Sequence, residues 1–188
     1  IDMMLSRLTD AMPQAKRYRH DPLTPADGDG RPVQNLDRLG DADVIVSLDA
    51  DFLGVEDFTV AAKRGFADGR KLADSHDTMN RLYVVEPHLT VTGMNADHRL
   101  AIQAARVVDY ALALAGAVAP DALSADVKAP TKLDGVDQRW IKAVADDLRK
   151  HRSRCAVIAG RRQPRAVRLL ARAINVALDN VGKTIDYV

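Results

Sequence analysis

The stretch that decides the fold runs from Arg81 to Leu100 and reads RLYVVEPHLTVTGMNADHRL. It begins with the apolar run Leu82–Val85, whose β-branched and aromatic residues favour a buried strand, and Pro87 ends that run. A polar loop follows. Ligands of open α/β sheets lie beyond the carboxyl ends of the strands, so this loop is the first candidate for a functional site.

Two further apolar runs predict strands of the same buried kind, Asp43–Leu48 and Arg154–Ala159. Helical spacing of apolar residues predicts helices over about 56–72, 104–117 and 137–151, and another that begins after Pro164. Asp137 is expected to cap the third of these helices. Leu100 and Ile102 are expected to end a short extended piece, and residues 16–20 to form a short edge strand. The alternation of strands and helices predicts an α/β fold, a Rossmann-like three-layer domain with a mostly parallel sheet and helices on both faces.

Length and composition predict one domain over residues 1–188. The chain has 188 residues, of which 47% are hydrophobic, enough for a substantial core. Residues 21–40 and 117–136 hold prolines and glycines and are predicted to be long connectors. The chain opens on Ile1 with an amphipathic helical pattern whose methionines are expected to pack in a core, so we expect a fragment of a longer protein.

Charge, cysteine count and hydropathy narrow the function classes. A net charge of +1 argues against a protein held on nucleic acid by bulk electrostatics. The single cysteine, Cys155, excludes an internal disulfide and any cysteine-ligated iron-sulfur cluster built from this chain alone. The longest apolar stretch, residues 110–119, is about half the length that crosses a bilayer as a helix, so no direct membrane insertion is expected.

Three blocks of the chain resemble one enzyme family. Glu86-Pro87-His88, then Thr90-Val91-Thr92, then Ala96-Asp97 and Leu100 are similar to a segment of the molybdopterin oxidoreductases, the dimethyl sulfoxide reductase superfamily. In that family a strand ends in Asp-Pro-Arg, followed by Thr-x-Thr and by Ala-Asp before a His-Leu pair. The blocks 42–53 (ADVIVSLDADFL) and 157–187 resemble in particular the large iron-sulfur subunit of alternative complex III and the Tat-translocated molybdopterin-oxidoreductase homologues.

The resemblance implies a Rossmann-like domain of the kind that holds a pterin guanine dinucleotide. It implies Tat export to the periplasmic side of the cytoplasmic membrane, and iron-sulfur clusters in other domains of the parent protein. The strand, glycine turn and helix start near Gly160 could hold phosphate with help from two arginines. The candidate cofactor-binding residues are Glu86, Thr90, Thr92, Asp97, Gly160, Arg161, Arg162 and Gln163.

Two features depart from the cofactor-binding members of the family. Where those enzymes have Gly-x-Asn-Pro after the strand, this chain has Asp49-Ala50-Asp51, whose charges oppose a pyrophosphate. His88 replaces an arginine that could bind phosphate with two hydrogen bonds. Asp49 and Asp51 could instead bind a divalent cation together with Glu86, cap the helix after Gly54, or form contacts with a neighbouring domain.

Three functions are therefore weighed. The first is a domain of a respiratory electron-transfer subunit that passes electrons from quinol toward cytochrome c, acting as a scaffold without molybdenum and contacting other domains of the parent and partner subunits. The second is a pterin guanine dinucleotide-binding domain of an active molybdopterin oxidoreductase. The third is another nucleotide-binding domain, like the middle domain of thiamine-diphosphate enzymes. No catalytic residue and no redox centre is expected within this chain, so the chain is expected to be inactive alone.

Overall fold

The structure, a computed structural model, describes residues 2–14, 16, 35–56, 58–74 and 78–187. Its main sheet has four strands, three of which are apolar runs bounded by polar or turn residues. They are β2 (Val44–Leu48), β3 (Arg81–Glu86), β4 (His98–Ala101) and β5 (Cys155–Ala159). A second, two-stranded sheet pairs β1 (Asn35–Asp37) with β6 (Ile185–Tyr187) in antiparallel register.

The four strands of the main sheet are all parallel and lie in the order β4-β3-β2-β5. In the register, Val44 lies opposite both Arg81 of β3 and Cys155 of β5. The predicted α/β class and parallel sheet are confirmed. From β2 the chain continues to β3 on one side and returns as β5 on the other, so the topological switch point lies between β2 and β5.

Helices cover both faces of the sheet, as predicted for a three-layer fold. The helices are α1 (Asp2–Ala11), α2 (Val60–Asp68), the short α3 (Val91–Met94), α4 (Val107–Val118), α5 (Gln138–Lys150) and α6 (Arg165–Ala177). Alternate residues along each strand point to opposite faces. On one face Val44, Val46 and Leu48 pack with α4, α5 and α6. On the other face Ile45 packs with α2 and β6.

Local sequence sets several helix boundaries. The side chain of Asp137 accepts a hydrogen bond from the backbone of Arg139 at 2.9 Å, which confirms the predicted cap of α5. Thr59 caps α2 by accepting from the backbone of Ala62 at 3.1 Å. The helix predicted over 56–72 is shorter and begins at Val60, because Thr59 is extended and caps it.

Some predictions at the edges of the fold were incomplete or wrong. Residues 98–101, predicted only as part of a short extended piece, form the fourth strand. The predicted connector 21–40 ends in β1, and 117–136 includes a short 3-10 helix, Pro120–Ala122. Residues 17–34, which hold most of the first predicted connector and most of the predicted edge strand, lie outside the described residues. The helix predicted at the start is present as α1, but Met4, Leu8 and Met12 are exposed rather than packed.

Candidate functional site

The residues that follow β2, β3 and β5 meet at the carboxyl edge of the sheet, where α/β folds bind ligands. We call residues 49–56 the acidic loop, because Asp49, Asp51 and Glu56 supply its described carboxylates. This loop follows the central strand β2, so it lies between the loop after β3 and the turn after β5. Its side chains contact both neighbours.

A tight turn carries the chain from β2 into the acidic loop. Asp49 has a φ of 56°, a left-handed conformation that aspartate tolerates better than most residues with a side chain. The buried Ser47 side chain holds the turn, because its Oγ donates to the carbonyl of Ala50 at 2.8 Å and accepts from the Ala50 amide at 3.1 Å. Burial raises the pKa of Asp49 despite the hydrogen bond that Asp49 accepts from Gln163.

Asp51 ties the acidic loop to the loop after β3. Its Oδ1 accepts from both the amide and the hydroxyl of Thr92, at 3.0 and 2.8 Å, and its Oδ2 accepts from the Val55 amide at 3.1 Å. Burial opposes the charge, but these hydrogen bonds outweigh it and lower the pKa of Asp51. The Asp51 carboxylate is thus a structural anion between two loops.

Glu86, the last residue of β3, is 1% exposed, and it forms an ion pair with Arg99 of the same chain. Its carboxylate accepts from the Nε of Arg99 at 2.5 Å and from the hydroxyl of Thr90 at 2.6 Å. Thr90 in turn caps α3 by accepting from the Gly93 amide at 3.0 Å. Glu86 and Thr90 are therefore hydrogen-bonded to each other, and Thr92 is held by Asp51.

The turn after β5 packs directly on the acidic loop. A side chain added at Gly160 would place its Cβ 1.9 Å from the carbonyl oxygen of Asp49, so only glycine fits here. The Nε2 of Gln163 donates to Asp49 Oδ2 at 2.6 Å. Gln163 is 5% exposed, and its Oε1 has no hydrogen-bond partner among the residues that the structure describes.

Glu56 makes the second connection between the acidic loop and this turn. The backbone amide of Arg161 lies 3.2 Å from one carboxylate oxygen of Glu56 and 3.3 Å from the other. Burial is the largest influence on Glu56, and the nearby charges of Asp49 and Asp51 act in the same direction. Together they raise the pKa of Glu56 to about 7, although the Arg161 amide favours the ionised form.

Asp97 lies at the amino ends of the strands, whereas the residues described above lie beyond the carboxyl ends. It immediately precedes β4, and its Oδ2 accepts from the amide of Leu82 near the start of β3 at 2.8 Å. Its two oxygens also accept from the guanidinium of Arg70 at 2.9 and 2.7 Å. Since the strands are parallel, the start of β3 and the turn after β5 are at different ends, and the structure does not bring Asp97 together with Gly160.

The remaining candidates lie near the turn after β5 or in the loop after β3. Arg162 and His88 are exposed, and both are close enough to influence the charge of Asp49. Within the part of the chain that is described, no group of three or more His, Cys, Asp or Glu side chains is arranged to hold a metal ion. The hydrogen bonds of Asp51 engage both of its carboxylate oxygens.

The sequence did not single out Glu56 or Ser47 as members of this site. Glu56 is the first residue of a predicted helix, and its partner Arg161 is 105 positions away, so no local pattern identifies this contact. The one available signal was the excess of carboxylates after β2.

Among the described helices, none combines the length and the apolar character needed to cross a bilayer.

The carboxyl end of the sheet is rich in hydrogen-bond acceptors, and groups of the same chain already donate to them. Its described carboxylates accept hydrogen bonds from backbone amides, hydroxyls, an amide side chain and one arginine. Neither the protein-family models nor the curated proteins contain a match to this chain.

Proposed function

We propose that the chain is a molybdopterin-oxidoreductase-like domain of a respiratory electron-transfer subunit, of the type that passes electrons from quinol to cytochrome c. Its role is that of a structural scaffold without bound molybdenum, in a protein on the periplasmic side of the cytoplasmic membrane. The α/β fold and the residue blocks around β2, β3 and β5 support the family. One observation supports the scaffold role most directly. In the turn after β5, the Asp49 carbonyl packs against Gly160 and the Glu56 carboxylate accepts from the Arg161 amide, so the turn is occupied by the chain itself.

A pterin guanine dinucleotide does not fit the residues present at this closure. The space beside Gly160 is filled by the Asp49 carbonyl, and the Arg161 amide is taken by the Glu56 carboxylate. A pyrophosphate would have to displace both and would lie near further negative charge. Each pair of like charges at about 5 Å costs roughly 3 kcal/mol at an effective dielectric constant near 20.

The remaining candidate residues support the same view. The hydroxyl groups of Thr90 and Thr92 donate to Glu86 and Asp51. Asp97 is paired with Arg70 at the amino ends of the strands. These contacts stabilise the domain itself. Since the chain has one cysteine, which is buried in β5, the iron-sulfur clusters of the proposed subunit would lie in other domains.

The deciding experiment is elemental mass spectrometry of the intact parent protein purified from its own host. We expect molybdenum near zero per polypeptide with iron present, because the clusters belong to the other domains. Molybdenum near one per polypeptide would overturn the scaffold role.

A second candidate is the dinucleotide-binding domain of an active molybdopterin oxidoreductase. The glycine turn between β5 and α6, with Arg161 and Arg162 beside it, favours this candidate. If it is correct, Arg161→Ala in the intact protein should lower the content of extractable pterin several-fold. Arg165→Ala, which removes an exposed arginine at the start of α6, is the matched control.

A further inference from the structure

A cavity of about 220 Å³ lies beyond the carboxyl end of β4. Residues 101–106, which end β4 and lead into α4, form one wall, and residues 133–136, which precede α5, form the other. Strand β4 is at the opposite edge of the sheet from β5, so this cavity is separate from the turn after β5. It lies at the end of the strands where α/β folds bind ligands.

The wall before α5 is a tight turn that the core holds in place. The Val136 amide donates to the carbonyl of Leu133 at 3.1 Å, and Gly135 has a φ of 75°. Leu133 is 5% exposed and packs in the core on the α4 side of the sheet. A Cβ added at Gly135 would meet no atom within 4 Å, so the space beside this turn is open.

The floor of the cavity is apolar. Ile102, Leu133 and Val136 line it, and all three belong to or pack against the same hydrophobic core. The Ile102 amide donates to the carbonyl of Glu86 at 3.2 Å, which fixes the end of β4 against β3. The floor is therefore a fixed apolar surface on which an apolar group of a ligand can lie.

Two side chains of opposite charge also line the cavity. The Arg106 side chain is 36% exposed, and its Nε lies 3.8 Å from Oδ2 of Asp109, a long and exposed contact that holds the guanidinium weakly. Asp134 is exposed and has no ion-pair partner in the part of the chain that the structure describes. Because both side chains line one small cavity, a ligand with a carboxylate and an ammonium group would complement them.

We infer that this cavity binds a free amino acid with an apolar side chain. The Arg106 guanidinium donates hydrogen bonds to the carboxylate of the amino acid, and the Asp134 carboxylate accepts from its ammonium group. The apolar side chain of the amino acid lies against Ile102, Leu133 and Val136. The inference does not depend on the respiratory role, because none of these residues belongs to the acidic loop or to the turn after β5.

The volume of the cavity sets the size of the amino acid. An apolar protein cavity of about 150 Å³ holds benzene. The cavity beyond β4 is about 220 Å³ and accommodates a ligand of roughly ten non-hydrogen atoms. Leucine is of this size, whereas glycine would leave the apolar floor uncovered.

A nuclear magnetic resonance titration of the full chain with L-leucine tests the site. We expect a dissociation constant on the order of 1 mM, because the ligand is small. The backbone amide signals of residues 101–106 and 133–136 should shift and saturate. Leucinamide, which lacks the carboxylate, and N-acetyl-leucine, which lacks the ammonium group, should each bind about tenfold more weakly.

Charge-removing variants assign each half of the ligand. Arg106→Gln and Asp134→Asn should each weaken leucine binding about tenfold. In Arg106→Gln the preference for leucine over leucinamide should disappear, and in Asp134→Asn the preference over N-acetyl-leucine should disappear. The matched controls are Arg165→Gln and Asp41→Asn, which remove exposed charges outside the cavity and should keep the wild-type affinity.

Two results would overturn the inference. One is the absence of saturable shifts at the two lining segments with leucine at about 10 mM, roughly ten times the expected dissociation constant. The other is equal affinity for leucine, leucinamide and N-acetyl-leucine, because the two charges would then play no part. The second comparison uses the wild-type chain, so it decides even if a variant fails to fold.

Discussion

A single oxygen of Asp51 accepts two hydrogen bonds from Thr92, one from its amide at 3.0 Å and one from its hydroxyl at 2.8 Å. Thr92 is fully buried and Asp51 is 8% exposed, so water is excluded from this contact. The pair joins the loop after β2 to the loop after β3 across 41 positions of sequence. The Leu53 amide also donates to the Thr92 hydroxyl at 3.0 Å, and together these contacts align the two loops.

Replacement of Asp51 should therefore destabilise the fold. Asp51→Ala leaves two amides and one hydroxyl without their acceptor, and we expect a loss of about 2–3 kcal/mol in the free energy of unfolding at pH 7. Urea denaturation measures it. Because the pKa of Asp51 is lowered in the folded state, its contribution is present above 3.8 and is lost as the pH falls below that value. The difference between wild type and variant should then shrink at pH 3, and an undiminished difference would contradict the assignment.

Asp97 should act in stability and not in ligand binding. It accepts two hydrogen bonds from Arg70, whose side chain is 22% exposed, and one from the Leu82 amide. Asp97→Ala should lower the free energy of unfolding by about 1–3 kcal/mol, and a double-mutant cycle with Arg70→Ala should reveal coupling. As a control on the same helix end, Asp68→Ala breaks an exposed pair with Lys71 and should leave the urea midpoint nearly unchanged.

Gly160→Ala should be more harmful than an ordinary glycine substitution. Its new Cβ would meet the Asp49 carbonyl at 1.9 Å, so the turn after β5 must move away from the acidic loop. We expect a cost of about 2–4 kcal/mol, measured by urea denaturation. Gly135→Ala is the matched control, since Gly135 has a φ of 75° but open space around it, and its cost should be about 1 kcal/mol. Equal costs would mean that the close approach to Asp49 is unimportant.

Cys155 should be inert to thiol reagents in the native state. It is fully buried in β5, and burial raises the pKa of its thiol to about 11. At pH 8 the native chain should react with a disulfide reagent only as fast as it opens, whereas the urea-unfolded chain should react at once. Labelling of the folded chain at the unfolded rate would show that β5 is not packed as described. Gly160→Ala, which loosens the end of the same strand, should accelerate native labelling.

Strands β2, β3 and β5 were predictable because each is a short buried run with clear ends. The predicted 82–85 is one residue shorter at each end than the observed Arg81–Glu86, and the predicted 43–48 begins one residue before the observed Val44–Leu48. Helix α5 was equally clear, since Asp137 caps it and apolar residues follow at helical spacing. The fourth strand, His98–Ala101, was only partly recognised because it is short and its residues are partly or fully exposed.

The site was less predictable for a physical reason. Which residues follow each strand can be read from the sequence, and this placed Asp49, Thr92 and Gly160 at one edge. The partner of each carboxylate cannot be read, because Asp51 with Thr92 and Glu56 with Arg161 meet only after the strands are ordered. Asp97 was assigned to the wrong end of the sheet for the same reason, since its position depends on the unrecognised strand that follows it.

The order of the strands also has a consequence for how the chain folds. Strands β2, β3 and β4 lie within residues 44–101, whereas β5 joins β2 through contacts such as Arg154 with Asp43, 111 positions apart. Closing so long a loop carries a larger entropy cost than pairing neighbouring segments, so β5 docks late. Before β5 docks, one side of β2 has unpaired backbone groups, and we expect aggregation during folding to occur mainly along that side.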